Sequence, residues 1–510
     1  MPTKGVLPSL KKAIGICKKI KRGHVFPVTQ VCVAKRELCL LKSKKAFGDL
    51  FMTVQTKSAS KKQINMLEGP LIPSFISYAL PLVLASLMQM LYNAADIAVL
   101  GNLSDGNAVA SVGATTIIVN FVVNTFTSIA TGGNILAARV FGAKDDVRIA
   151  RLVRSTYTFS LILGVVIAGL GQLLTLPLLH LTDCPESVIE GAELYMRIYF
   201  LGVPASTFYN YMAGIMRSSG DSRRPFFYLA VSGAVNVILN VVLVLTTDSP
   251  VASVAIATVA SMYVSAGMLF VHMVRTKGAD RLRPFDFRMS ADVMLKIIRL
   301  GIPAAISSVC FSFANIQIQS AVNAYLEAGI TGNTAAIQIE NAMFAVTNSA
   351  TTTVSAFLGQ SLGAGNNTRA LQIIKKSYVF WFVAGAMATA LLLPFSRGLL
   401  TLIAGDNQAA IDFGINRLMI MLSVAPLHAL MTMNNGVLQA SGKTTLQMAV
   451  NLIGICGFRT LWMNVFYPMH KTPFMLYIAY PISFALVFLV NMYFVSRMIK
   501  KLKSGEIFVI

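Results

Sequence analysis

The chain has 510 residues, 55% of them hydrophobic and only 13% charged, with a mean hydropathy of +0.66. Soluble domains carry about 25% charged residues, so a soluble globular protein is excluded and a membrane is required. The formal charge of +22 would suit a nucleic-acid binder, but the placement of the charges excludes that class too.

Residues 1–65 form a basic leader with 15 Lys/Arg against Glu37 and Asp49, and so hold about 13 of the 22 excess charges. The leader lacks a signal-peptide pattern, because its apolar runs are short and broken by lysine. Two readings of it stand. It is either a disordered basic arm lying on anionic lipid, or an extension that translation from Met52 or Met66 would omit. Beyond it, apolar runs of roughly 20 residues recur, the length that crosses about 30 Å of hydrocarbon as helix. They predict helices at 71–100, 108–138, 152–179, 191–216, 225–246, 251–274, 294–325, 331–358, 372–403, 409–439, 444–466 and 474–499, twelve in all.

Lys and Arg gather in alternate loops. They crowd 139–154, 217–224, 275–299, 369–376 and the tail from Arg497 to Lys503, whereas 101–107, 180–190, 246–250, 326–331 and 404–408 have none. This is the positive-inside pattern. It puts both termini in the cytoplasm of a multi-pass protein of the cell's plasma membrane, in agreement with an even number of spans. The six cysteines include no CxxC pair, and Cys32 and Cys39 are spaced poorly for zinc. Neither a disulfide framework nor a resident metal is expected.

The chain also repeats itself. Pro81 matches Pro303 at an offset of 222, Gly142 matches Gly363 at 221, and Pro204 matches Pro426 at 222. "GIMRSSGDS" (214–222) matches "GVLQASGKT" (436–444), again at 222. The predicted fold is therefore all-α and integral to the membrane: twelve transmembrane helices in two parallel six-helix repeats around a central cavity. Residues 66–274 form the N-terminal bundle, 275–293 a cytoplasmic connector, 294–503 the C-terminal bundle and 504–510 a tail. Two such bundles suit alternating access.

The "SGKT" of 441–444 looks at first like a phosphate loop. That loop needs four residues between its glycines and a preceding strand, whereas five separate Gly436 from Gly442 after an apolar helix. Its twin carries Asp221 in place of Lys443. A helix C-cap fits better, and no ATP site is expected.

Few charges lie within the predicted spans. A carboxylate there costs about 2.5–3.5 kcal/mol on insertion scales, so Asp96 points to a cavity that binds or carries a cation. Asn240 and Asn236, one turn apart on one face, and Thr258 lie at matching depth, roughly 7–15 Å from the outer surface at 1.5 Å per residue. The functional reading is a coupling site at which Asp96 exchanges a proton or ligates Na⁺. The alternative is plain interhelical hydrogen bonding. In the second bundle Glu340 and Arg459 lie in the outer half. They either pair with each other as a structural ion pair, or Glu340 draws cationic substrates into the cavity. Asn315, Gln317 and Gln319 are assigned to packing. Pro81 and Pro303 each kink the first helix of a half, either as a bend that responds to Asp96 or as a static aid to packing.

These residues carry a resemblance. "ALPLVLASLMQMLYNAADIAVLGNL" (79–103) resembles the first helix of the multidrug and toxic compound extrusion (MATE) family, and "RSSGDSRRPF" (217–226) its helix 4–5 turn. "NVILN" (236–240) and "AIATVAS" (255–261) are similar to its elements in helices 5 and 6. The resemblance runs from about Met66 to Lys503, more specifically in the first bundle than in the second, and does not cover the leader. It implies a monomeric, cofactor-free antiporter exporting cationic or amphipathic drugs in exchange for H⁺ or Na⁺. By resemblance the cation site falls on Asp96, Asn236, Asn240 and Thr258, with Asn at 240 where many relatives have Asp. A lipid or oligosaccharide flippase of the related superfamily is the competing reading. A membrane enzyme lacks support, since the five histidines form no HExxH, and a channel lacks a filter-like segment.

Overall fold

The computed structural model describes residues 63–505, apart from 104, 105, 183 and 406; the expectations for the leader and for most of the tail lie outside the described residues. The regular elements among these residues are all helical. The N-terminal half holds α1 (Leu71–Leu103), α2 (Gly106–Gly142), α3 (Asp146–Leu181), α4 (Glu186–Ser218), α5 (Arg223–Thr246) and α6 (Pro250–Arg275). The C-terminal half opens with α7 (Ala291–Asn323), α8 (Leu326–Gly363) and α9 (Asn367–Leu392). It continues with α10 (Ser396–Ala404), α11 (Gln408–Ser423), α12 (Ala425–Ala440) and α13 (Thr444–Asn451). It closes with α14 (Phe458–Leu461), α15 (Pro473–Tyr477) and α16 (Ala479–Lys503).

Eight helical stretches are long and apolar enough to cross a membrane, two of which (Thr444–Met469 and Pro473–Lys503) run over more than one of these elements, and two bent pairs bring the number to ten. The bends are 60° between α9 and α10 and 52° between α11 and α12. Pro394 sits in the first break and Pro426 in the first turn of α12, where a missing N–H and a ring clash end the preceding ladder. The remaining two expected spans are α4 and α8. They are 33 and 38 residues long but more polar, because they face protein rather than lipid. From Ala205 to Ser218 α4 is almost continuously buried, and α8 buries Asn333, Glu340, Thr347, Thr353 and Gln360. Leucine, isoleucine and valine side chains such as Leu173, Ile238, Val379 and Leu489 stand exposed on the outer helices, as lipid-facing residues do. Pro81 and Pro303 lie inside α1 and α7, which continue through them.

The duplication is visible bond by bond at the end where the basic loops gather. After α2, Ala143 N donates to Arg139 O and the Asp145 side chain accepts from Arg148 N. After α8, Ala364 N donates to Gln360 O and Asn366 accepts from Arg369 N. After α4, Gly220 (φ 102°) and Asp221 donate to Arg217 O and Met216 O. After α12, Gly442 (φ 75°) and Lys443 donate to Gln439 O and Leu438 O. The "SGKT" amides at Gly442 and Lys443 are thus spent on a helix C-cap, with none aimed at a phosphate.

The two halves meet through the same symmetry. From α2, the buried Arg139 side chain donates to the Ala440 carbonyl at the end of α12, at 3.0 Å from Nε and 2.7 Å from Nη2. From α8, its repeat counterpart Gln360 donates to the Ser218 carbonyl at the end of α4, at 2.7 Å. Each bond takes up a carbonyl that a helix end leaves without an intrahelical partner. Between them the backbones of α2 and α8 touch. A Cβ on Gly142 would collide with the Gln360 backbone, and one on Gly363 with the Arg139 backbone. In lipid, where association relies on close van der Waals contact, small residues allow such an approach. Gly142→Val and Gly363→Val are each expected to destabilise this arrangement by about 1–3 kcal/mol, read as a lower melting midpoint in detergent. Gly169→Ala, whose added methyl meets nothing within 4 Å, is the control and is expected to melt no lower than the parent protein.

Candidate functional site

In the N-terminal half the polar cluster is assembled by α1, α5 and α6. The Tyr92 ring of α1 fills the space a Cβ would take at Gly233 of α5, and its hydroxyl donates to the Ala230 carbonyl at 3.2 Å. This holds the two helices side by side and brings Asp96, one turn further on, against Asn240. Asn240 Nδ2 donates to Asp96 Oδ1. The same group donates to Asn236 Oδ1 at 3.4 Å, and Asn236 Nδ2 donates to Thr258 Oγ1 of α6 at 3.4 Å. The Thr258 hydroxyl ends the relay on the Val254 carbonyl at 2.9 Å. All four residues singled out in the sequence therefore meet.

The relay leaves one atom over. Asn240 is fully buried, yet among the described residues its Oδ1 has no hydrogen-bond partner. A carboxylate accepts only, so Asn240 must turn its NH₂ toward Asp96 and leave its carbonyl facing nothing. A buried acceptor without a partner costs about 1–3 kcal/mol. Two events relieve it: a cation that Asp96 and the Asn240 carbonyl share, or a proton on Asp96 with the amide turned over.

The C-terminal half answers differently from expectation. Glu340 on α8 is paired with Arg417 on α11, not with Arg459: Nε donates to Oε1 at 2.6 Å and Nη2 to Oε2 at 2.8 Å. This two-pronged geometry is the strong form of the pair. Arg417 Nη1 and the Tyr477 hydroxyl both donate to Asn333 Oδ1, at 2.7 and 2.8 Å. Arg417 also lies over the Tyr477 ring at 5.2 Å. Glu340 is therefore closed into a satisfied buried network. Arg417 went unnoticed in the sequence, although an arginine inside a predicted span calls for an acid at like depth.

Arg459 stands apart from that pair, with no exposure. Its Nε donates to Ser483 Oγ and its Nη1 to Asn315 Oδ1, both at 3.1 Å, and its guanidinium lies 4.1 Å from the Tyr480 ring centroid. Its Nη2 has no hydrogen-bond partner among the described residues. The span that carries it is not one regular helix, since π turns at Leu452–Gly457 and Trp462–Phe466 flank the single turn α14. Asn315, Gln317 and Gln319 do more than fill space. Asn315 holds Arg459, Gln317 accepts from Thr460 at 2.9 Å, and Gln319 accepts from Asn333 at 2.8 Å.

A family model described as MatE matches residues 81–242 and again 303–462, two copies that begin at Pro81 and Pro303. The Bacillus subtilis (strain 168) protein named "Probable multidrug resistance protein YoeA" is 27% identical over 387 residues, 74% of this chain and 83% of its own length. From the same organism, "Probable multidrug resistance protein YpnP" is 24% identical over 395 residues, 77% of this chain and 87% of its own. Among solved structures, a MOP superfamily transporter from Pyrococcus furiosus superposes with a TM-score of 0.79 at 21% identity, covering 87% of this chain and 99% of that one. For that transporter, reverse polarity of the binding pocket is held to suggest a different function.

Proposed function

The chain belongs to the MATE family, and from that premise we propose that it is a secondary active multidrug exporter. It releases cationic or amphipathic compounds from the cell in exchange for H⁺ or Na⁺, by alternating access of two six-helix halves. The reading has it work as a monomer in the plasma membrane, with both termini cytoplasmic and without ATP. Support for the substrate class comes from the relatives named as multidrug resistance proteins. Support for ion coupling comes from Asp96: a carboxylate embedded in a span, beside a buried carbonyl that lacks a partner.

The coupling ion is cargo in this reading, and the chain's residues decide what its arrival does. An ionised Asp96 holds the Asn240 amide, and through Asn236 and Thr258 it ties α1 to α5 and α6. A proton or Na⁺ removes the demand for that donor, the Asn240 amide turns, and α1 is freed to shift. The N-terminal part of α1 meets the other half: the Phe75 ring centroid is 5.0 Å from that of Phe357 on α8, and Tyr78 packs on the same ring at 5.5 Å. Just before α1, the backbone carbonyls of Glu68 and Gly69 are held by Arg369 of α9 at 3.1 and 2.9 Å. A movement of α1 is thus delivered to the contact between the halves, which is where alternating access requires it.

The test is export of a cationic dye from proteoliposomes with ATP absent and a pH or Na⁺ gradient imposed. Gradient-driven export is the expected result. Export that needs ATP and proceeds without any ion gradient overturns the reading.

A further inference from the structure

We propose that the C-terminal half holds an anion-recognition site centred on Arg459, which takes the carboxylate or phosphate group of a transported compound. This rests on the exporter reading and adds to its substrate class compounds carrying an anionic group beside their apolar body.

In the N-terminal half the polar cluster is drawn from the first, fifth and sixth helices, α1, α5 and α6. In the C-terminal half Arg459 is held by the corresponding three: Asn315 comes from α7, Arg459 itself from the fifth span, and Ser483 from α16 in the sixth. At the repeat offset of 222, Arg459 stands opposite Val237, the neighbour of Asn236. The two clusters thus draw on corresponding helices with the charge reversed, the counterparts of Asn315 and Ser483 being Asn93 and Ser261, each about one turn from Asp96 and Thr258. One presents a carboxylate with an unpartnered carbonyl; the other presents a guanidinium with an unpartnered N–H.

The charge balance leads the same way. Of the charged side chains buried in the spans of this half, Glu340 and Arg417 neutralise each other, and no salt bridge to Arg459 occurs among the described residues. Tyr480 and Phe484 present ring faces to the guanidinium at 4.1 and 5.3 Å, which leaves its positive charge formally uncancelled. Its hydrogen-bond partners are a hydroxyl and an amide, while Glu340, already neutralised by Arg417, acts on it only through space. Asn315, which accepts from the guanidinium, and the Thr460–Gln317 pair beside it are all half-buried. The guanidinium is shut off in this state. π turns lie on both sides of it, such turns are frequent at functional sites, and the proposal requires the span to yield at them and expose the guanidinium. A planar guanidinium suits carboxylate and phosphate alike.

The experiment uses two rhodamines that differ only at this group: rhodamine 19, with a free carboxylate, and rhodamine 6G, its ethyl ester. Binding is read by fluorescence anisotropy on the full-length protein in detergent, and export is read in proteoliposomes. Arg459→Gln is expected to weaken binding of the acid about tenfold or more, as loss of a charged partner does, and to leave the ester unchanged. Arg459→Lys is expected to restore part of the acid binding, which a purely structural role would not require. Inorganic phosphate should compete with the acid in the parent protein only. In nanodiscs, competition by phosphatidylglycerol but not phosphatidylcholine assigns the anion to a lipid headgroup, and its absence assigns it to the solute; either supports the site. If Arg459→Gln changes acid and ester equally, or neither, the proposal is overturned. Arg459-dependent acid binding without export of either dye would sustain the site and remove the exporter reading.

Discussion

Asp96→Asn is expected to abolish ion-coupled export while leaving the protein at least as stable as before. The substitution keeps the shape of the side chain and removes its ability to carry charge or exchange a proton. A carboxylate inside a span costs about 2.5–3.5 kcal/mol on insertion scales, and an amide there avoids that term. The new NH₂ can also turn toward the Asn240 carbonyl, the one atom of the relay that lacks a partner. Pairing it recovers about 1–3 kcal/mol. The melting midpoint in detergent should therefore hold or rise, while initial rates of gradient-driven dye export fall to those of empty vesicles. Loss of export with a collapsed melting curve would instead make Asp96 a structural residue.

Arg417→Ala is the change with the largest expected effect on stability. It leaves the Glu340 carboxylate buried at 1% exposure without its counter-charge, and removes a donor that Asn333 uses. Breaking a buried pair from one side costs about 3–5 kcal/mol, so the single variant should express poorly and melt far below the parent. Glu340→Ala should do the same, since Arg417 would then be the orphan. Replacing both with methionine should be milder than either single change, because the desolvation of two charges is removed along with their attraction. Melting curves of the three variants in one detergent check this. A double variant as damaged as the sum of the singles would show that the two residues act separately.

The parts of the molecule that were legible beforehand are those that sequence encodes locally. Twelve spans follow from apolar length, and the two-fold repeat follows from landmarks such as Pro81/Pro303 and Gly220/Gly442, which the structure returns as matching turns with matching hydrogen bonds. Asp96 was legible because an acid in a span needs a reason. The partner of Glu340 was not, since a pairing across 77 positions leaves no trace in periodicity. Two buried arginines competed for one carboxylate, and helix packing chose Arg417. The breaks near Pro394 and Pro426 were hidden inside runs long enough to read as single spans, although proline gave the signal. The π turns around Arg459 had no such signal: the run from Leu452 to Phe466 is apolar throughout except at Arg459, Thr460 and Asn464, and composition does not distinguish π from α turns.

The central claim is exchange: a cation moving inward through Asp96 as a drug moves outward. It is tested most directly by loading proteoliposomes with a pH-sensitive or a Na⁺-sensitive dye, adding a transported cationic drug on one side with no gradient imposed, and watching the ion move against it. The expected result is drug-driven movement of H⁺ or Na⁺ in the opposite direction, with no such movement by the Asp96→Asn protein. Drug transport that moves neither ion, or equal ion movement by parent and Asp96→Asn proteins, would contradict the account.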